Sequence, residues 1–391
     1  MGPSLPDHRF GGGVALFELL AWLVDCVKPL GAVAVVAPVA EPQRPDLARL
    51  ASDPSLPGVH WHPLAESRLP GLPGYVSRLL GPLPSDAAKV ATLENAARLE
   101  AIRRDFRPTI ELAVSSWALA AYRGQVLSPG TRLVMVNFDP DVVRFDGPWF
   151  QGVWPDTGTF VRKLACAIDR PKVRRLCRHA LATAARVGAF SPADVTPLNS
   201  LGGRNDTVHL PPLIRPRPVD RSAVIEGTVL ITTNFAYQPN VTSLDWFLRE
   251  VWPHVAPRAE LTVTGVDPQG VGSRLCRRHT RVRFTGLLGS AELDAAFART
   301  AVAVNPTRVG GGFQMKLLDA IARGVPIVST TWSNKFGPAI PSSDDPRELA
   351  NLITVRLTPG PAPIAYASYF AAANAAWEAF LFDDEPLEPS G

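Results

Sequence analysis

The stretch 305–331, NPTRVGGGFQMKLLDAIARGVPIVSTT, constrains the fold of this chain more than any other. Residues 301–304 just ahead of it form a short apolar run, as a strand buried on both faces requires. Gly310, Gly311 and Gly312 follow and let the backbone turn sharply and approach a ligand closely. Leu318, Ile321, Ala322 and Val325 then recur at helical spacing, and Gly324 stands where a helix stops. A second strand is expected after it, so the stretch reads as one unit of an α/β fold. On the other stripe of that helix Lys316 and Asp319 lie three apart and share a face. Free amides, the positive end of the helix dipole and a lysine in the first turn suit a diphosphate. An acid one turn on suits ribose hydroxyls. The same residues leave a plainer reading open, since glycine-rich turns between strand and helix are common. Neither GxxxxGK[ST] nor GxGxxG is spelled here.

These residues resemble the donor-site signature of retaining GT-B glycosyltransferases of family 4, the glycosyl transferases group 1. Its form is P-x-R-x-G-G-G-x-x-x-K-x-x-E-A-x-A-x-G-x-P-V-V-S-T. Pro306, Arg308, the three glycines, Lys316, Ala320, Ala322, Gly324, Pro326, Val328, Ser329 and Thr330 match it. Upstream, TTNFAYQPNVTSLDWFLREVWPHV resembles the opening of that family's C-terminal domain, with Pro239–Asn240 and Trp246–Phe247 in the usual places. LTVTG and VRFTGLLGSAELDAAFARTAVAVNP resemble the elements between, so the resemblance covers roughly residues 228–333.

The resemblance implies an α/β protein of the GT-B kind, with two Rossmann-like domains facing a central cleft and a C-terminal helix crossing back to the first. It implies sugar transfer from a nucleotide-diphospho-sugar, UDP- or GDP-linked, to a small-molecule, lipid or glycan acceptor. No cofactor and no metal are expected, because Arg308 and Lys316 are placed as the catalytic cations on the diphosphate leaving group. Gly310, Gly311, Gly312, Asp319, Asn234 and the backbone at Gly286 and Leu287 are implied as donor-binding. Gly11, Gly12, Gly13, Asn137 and Asp139 are implied on the acceptor or cleft side. Many relatives carry an acid pair where this chain has Gly311 and Asp319. That departure keeps a second hypothesis open, a non-catalytic GT-B protein that binds nucleotide or partners an active enzyme. A third, a nucleotide-sugar epimerase, would need acid/base carboxylates and histidine, and no such set stands out. Arg323 follows Asp319 at i,i+4, so an ion pair is the structural alternative for that acid.

Composition frames these expectations. A chain of 391 residues, 46% apolar and 19% charged, is globular and long enough for two domains. Its 39 prolines and the excess of arginine over lysine have a bacterial, high-GC character. A net charge of +4 does not argue for nucleic acid, yet permits peripheral contact with an anionic membrane. No apolar run is long enough to span a bilayer and no signal-like N-terminus is present, so a cytoplasmic protein is expected. Cys26, Cys166, Cys177 and Cys276 lack metal or CxxC spacing and read as reduced core residues. His60 and His62 show no ligand pattern.

The domain expectation is an N-terminal acceptor domain over 1–215, a donor domain over 216–345 and a returning helical segment with a frayed tail over 346–391. The Pro-rich, charged stretch 211–227 has linker composition between the first two. Gly11, Gly12 and Gly13 are expected as a loop leading into a helix marked by Leu16, Leu19, Leu20, Leu23 and Val27. Members of the resembled family usually place a buried strand ahead of such a loop, and no apolar run stands in residues 1–10, so either that strand is missing or the true start lies upstream of Met1. Residues 32–40, VHWHPL, TIELAVSSW and TRLVMVNFD supply strands for a doubly wound sheet, and 86–104 has helical spacing. Stretch 159–185 is basic, with Arg162, Lys163, Arg170, Lys172, Arg174, Arg175 and Arg178, and Pro171 is expected to split it into two helices.

Overall fold

The computed structural model describes residues 11–27, 31–39, 44–66, 71–122, 127, 129–142, 159–309, 313–334, 340–358 and 366–383. The chain divides into two compact units, the second being Ile214–Gly310 with Gln314–Ala372. The described residues up to Leu213, joined by those from Ala373 onward, belong to the first.

In the first unit, strands and helices alternate. The order is α1 (Gly11–Val27), β1 (Ala34–Pro38), α2 (Arg44–Ala51), β2 (His60–Leu64), α3 (Gly71–Leu80), α4 (Leu93–Phe106), β3 (Ile110–Val114) and β4 (Arg132–Asn137). It continues with α5 (Thr159–Thr183), β5 (Arg186–Ala189), α6 (Pro192–Gly202) and β6 (Val208–His209). Helical crossovers make every strand pair parallel, as β–α–β connections require. The expected single sheet is divided, however. Among the described residues β1 pairs with β2 alone, and β3-β4-β5-β6 form a separate sheet. Each piece has its own core. Phe17, Leu20 and Ala21 of α1 with Leu50 and Leu56 pack on the small sheet. Leu133, Met135, Val187 and Ala189 lie under Ala180, Leu181 and Leu198 in the larger one.

Three local expectations are corrected here. Gly11, Gly12 and Gly13 are the first residues of α1, not a loop before it. The apolar run behind them carries the helix back to the glycines, which cost least at a helix start, where amides lack intrahelical partners anyway. Its buried side is Ala15, Phe17, Leu19, Leu20, Ala21 and Val24, while Leu16, Leu23 and Val27 are only half-buried. Second, α5 runs through Pro171 without a break. Pro171 sits on the exposed side, and a buried stripe of Ala165, Asp169, Val173, Leu176, Cys177 and Ala180 holds both halves to one surface. Third, 86–104 is not one helix. A 3-10 turn at Ala87–Lys89 precedes α4, whose start is set by the Thr92 side chain accepting from the Asn95 N–H at 3.1 Å.

The second unit opens at β7 (Thr228–Asn234), followed by α7 (Gln238–Trp246), β8 (Glu260–Val266), α8 (Val271–Cys276) and β9 (Val282–Phe284). Then come α9 (Ser290–Arg299), β10 (Val302–Asn305), α10 (Met315–Ala322), β11 (Ile327–Ser329) and α11 (Pro346–Thr354). Five parallel strands run in the order β11-β10-β7-β8-β9. Side-chain alternation sends Val229, Ile231, Val302, Val304 and Val328 to one face, beneath Leu244, Phe247, Leu349 and Ile353. Leu230, Ala303 and Ile327 face the other side, beneath Phe297, Leu317, Ala320 and Ile321. This is a three-layer, doubly wound arrangement. α10 ends as its sequence indicates. Gly324 adopts φ +68°, and its N–H and that of Val325 satisfy the carbonyls of Ile321 and Ala320.

The last helix, α12 (Tyr366–Phe382), is shared. Up to Ala372 it groups with the second unit, and from Ala373 with the first. In the first unit Trp377 and Phe380 are fully buried, and the indole N–H of Trp377 donates to the Pro211 carbonyl at 2.9 Å. Arg186 donates to the carbonyls of Ala379 and Phe380 at 2.8 and 2.9 Å, a cation at the negative end of a helix.

Candidate functional site

In parallel sheets of this type ligands bind beyond the carboxyl ends of the strands. In the second unit those ends are Asn234 on β7, Val266 on β8, Asn305 on β10 and Ser329 on β11. Polar groups gather at the first and third. Lys316, in the first turn of α10, donates to Asn240 Oδ1 at 2.8 Å and to Thr307 Oγ1 at 3.2 Å. Asn240 in turn donates through Nδ2 to the Asn234 carbonyl at 2.8 Å. Thr307 donates to Asn305 Oδ1 at 2.7 Å, and its carbonyl accepts from the Thr330 hydroxyl. The network ties together the ends of three neighbouring strands.

Lys316 as a residue is half-buried, but its ammonium end is enclosed by protein. Burial pushes that ammonium down to about 7 from its ordinary value, because its oxygen partners here are neutral. An anion arriving at Nζ would supply the missing counter-charge. Arg308 is exposed at the end of the same β10 loop. Its guanidinium stacks 4.3 Å from the Trp246 ring centroid, and its backbone N–H donates to Ser243 Oγ at 3.1 Å. This is a cation–π contact.

Asp319 turns away from Lys316. Its Oδ1 accepts from Arg323 Nη1 at 2.5 Å and lies 3.5 Å from Arg217 Nη2. Arg323, 2% exposed, also donates to Asp294 Oδ1 at 2.8 Å and stacks on Phe297. The i,i+4 ion pair is therefore present, and Asp319 meets a ligand only as an already compensated carboxylate. Gly286 has φ +77°, and its carbonyl accepts from the Gly265 N–H at 2.9 Å and Thr264 Oγ1 at 2.7 Å. Leu287 is exposed beside it. Asn234 Oδ1 accepts from the Ala236 N–H at 2.9 Å, a local turn at the end of β7. Gly310, Gly311 and Gly312 lie outside the described residues.

In the first unit, Asn137 closes β4 and is buried, and among the described residues its Nδ2 makes no hydrogen bond. Beside it Ser115 holds φ +70°, uncommon for a residue with a Cβ. Asp141 accepts from Ser116 Oγ at 2.9 Å and Ser115 Oγ at 3.4 Å. Asp139 follows Asn137 in the same strand-end segment. Among the described residues no group of three His, Cys, Asp or Glu could hold a metal ion, and no helix is long and apolar enough to cross a membrane. Among the described residues the four cysteines form no disulfide.

Sequence reasoning missed Asn240, Ser243 and Thr307 as parts of the site. A signal existed for the first two, polar residues three apart on a helix that follows a strand end, but only the network shows what they hold.

Residues 226–357 match the family model described as Glycosyl transferases group 1. A Klebsiella pneumoniae protein known as an uncharacterized 44.6 kDa protein in the cps region is 26% identical over 128 residues, 31% of this chain. The match spans 33% of that relative's length. Sucrose-phosphate synthase from Thermosynechococcus elongatus superposes with a TM-score of 0.57 at 15% identity, over 90% of this chain and 95% of its own. Anabaena HepE, solved with UDP and glucose, superposes with a TM-score of 0.54 at 13% identity, over 96% and 94%. Identities this low speak for the fold alone, and the fold is GT-B: two Rossmann-like units in one chain.

Proposed function

We propose, from a chain whose residues 226–357 carry a group 1 glycosyl transferase domain within a GT-B fold, that it moves a sugar from a nucleotide-diphospho-sugar to an acceptor hydroxyl with retention at the anomeric carbon. The observation that carries this reading is Lys316, a lysine enclosed among neutral oxygens at the carboxyl end of a parallel sheet. Arg308 stands on the same β10 loop, with its planar guanidinium outward for bidentate phosphate contact. Departure of the diphosphate and attack of the acceptor would occur on one face of the sugar. The acceptor proton leaves to the departing phosphate oxygen, so the protein's share is to neutralise charge on the leaving group. Asp319, held by Arg323, is assigned to the ribose, and the backbone at Gly286 and Leu287 to the base. Asn137 and Asp139 are assigned to the acceptor or sugar side, and no metal is required by this scheme.

UDP is the favoured nucleotide, since HepE was solved with UDP and with UDP-glucose. A thermal-shift panel of UDP, GDP, ADP and dTDP tests it. At about 100 times its dissociation constant the correct diphosphate adds about 2.7 kcal/mol of stability. The shift should shrink in Lys316→Ala, whose UDP binding is weakened but still measurable, with turnover falling by about 2–4 kcal/mol of transition-state stabilisation. No shift with any diphosphate would favour the non-catalytic reading.

Peripheral contact with an anionic membrane belongs to the same proposal. On α3, Val76 and Leu80 are 41% and 75% exposed, and Arg174, Arg175 and Arg178 line the exposed side of the adjoining α5. Co-sedimentation with phosphatidylglycerol vesicles, reduced by Leu80→Asp, is the expected result. Equal recovery with phosphatidylcholine vesicles would remove this part.

A further inference from the structure

Neither cation of the donor site stands alone; both are held by α7. We propose that one side of α7, formed by Asn240, Ser243 and Trp246, is the positioning surface for Lys316 and Arg308, and that Asn240 is the residue that aims the Lys316 ammonium at the leaving group. This deepens the donor-site reading and rests on it.

Asn240 is 8% exposed, and both ends of its amide are used. Nδ2 donates to the main-chain carbonyl of Asn234, which can only accept, so Oδ1 is left to face Lys316 Nζ at 2.8 Å. Asn234 is the last residue of β7, and its own side chain is fixed by the Ala236 N–H. The line from sheet to ammonium is thus rigid: strand end, carbonyl, amide, Nζ. Thr307 completes the cradle, accepting from Lys316 while donating to Asn305. Both oxygens are neutral. They orient the ammonium without cancelling its charge, which an aspartate at the same place would do. The depressed proton affinity of Lys316 is what such a cradle produces.

Three residues further along the helix, Ser243 Oγ accepts from the backbone N–H of Arg308 at 3.1 Å. Three more, Trp246 lies under its guanidinium at 4.3 Å. Residues spaced this way share one side of a helix, so a single short element sets both cations. Neither residue need touch a ligand. They act through the cations, as positioning residues.

The test uses the full chain, with UDP as the probe. Lys316 is observed directly by its ε-carbon NMR titration, and UDP affinity is measured by calorimetry for the wild type and for Asn240→Ala, Asn240→Asp, Lys316→Ala and the Asn240→Ala/Lys316→Ala pair. Asn240→Asp keeps size and shape. It should move the Lys316 midpoint up by about one pH unit or more, and weaken UDP further than Asn240→Ala does. Asn240→Ala should weaken UDP about tenfold, the scale of a hydrogen bond to a charged group. In the Lys316→Ala background it should change nothing. A role in folding alone would leave the Lys316 midpoint unmoved in Asn240→Asp and would weaken UDP equally in both backgrounds. Either result overturns the proposal. If the wild type does not bind UDP, the donor reading fails, and the Lys316 titration still decides whether Asn240 holds it.

Discussion

Lys316 links proton binding to both stability and ligand affinity, and the two run in opposite directions with pH. Its folded-state value, about 7, lies below the ordinary lysine value of 10.5. Below about pH 7 both folded and unfolded chains hold the proton, and the full cost of a buried charge is present. Between about 7 and 10.5 only the unfolded chain holds it, so this group's contribution makes stability rise with pH. A diphosphate favours the ammonium, so binding above about pH 7 must take up a proton. UDP affinity should therefore fall by up to about tenfold per pH unit from about pH 7 to about pH 9. Lys316→Ala should show no such slope in calorimetric titrations, and a flat profile in the wild type would sink the assignment. This behaviour was not legible in the sequence. The motif spacing placed Lys316 near a helix start, but the neutral partners come from Asn240 and Thr307, brought in from other elements. Asp319 shows the converse. Its pairing with Arg323 follows from i,i+4 spacing alone, whereas Arg217 and Asp294 reach the cluster only through the fold. Gly265 is similar. Its φ of +146° and the Thr233 carbonyl, 1.6 Å from where a Cβ would sit, are tertiary facts about two adjacent strands.

Elements were readable where local chemistry alone specifies them. α11 is one case. Asp345 accepts from the N–H groups of Arg347 and Glu348 at 2.9 and 2.8 Å, and Pro346 opens the helix with its fixed φ. Asp345→Ala should cost about 1 kcal/mol in denaturant unfolding of the second unit, and no change would mean that packing of Leu349 and Ile353 alone holds the helix. β10 and α10 were likewise legible, because an apolar run, a helical spacing and a glycine stop leave few alternatives. Reading failed where packing overrides propensity. Pro171 should break a helix, yet α5 passes through it, since the buried stripe from Ala165 to Ala180 holds both halves. The glycines of α1 went the same way, drawn into a helix by the apolar run that follows them.

At the scale of the whole molecule, α12 is the element on which the first unit depends from outside its own N-terminal sequence. Trp377 packs near Trp22 and Phe190, with centroids 6.0 and 6.1 Å away, and Phe380 lies against the sheet at Gly188. Trp377→Ala should destabilise the first unit by about 3–5 kcal/mol, seen as an earlier transition in a melt. A single unchanged transition would show that the helix contributes no core. The alternation of strands and helices and the presence of two units were determined by the sequence itself. They rest on periodicity, backbone freedom and residue type, which act over a few neighbouring positions. The division of the first unit's strands into two sheets, the return of Trp377 to the core, and the face of α7 that holds both cations were decided only by the tertiary structure. Each depends on groups far apart along the chain meeting at one place, and no local spacing records that.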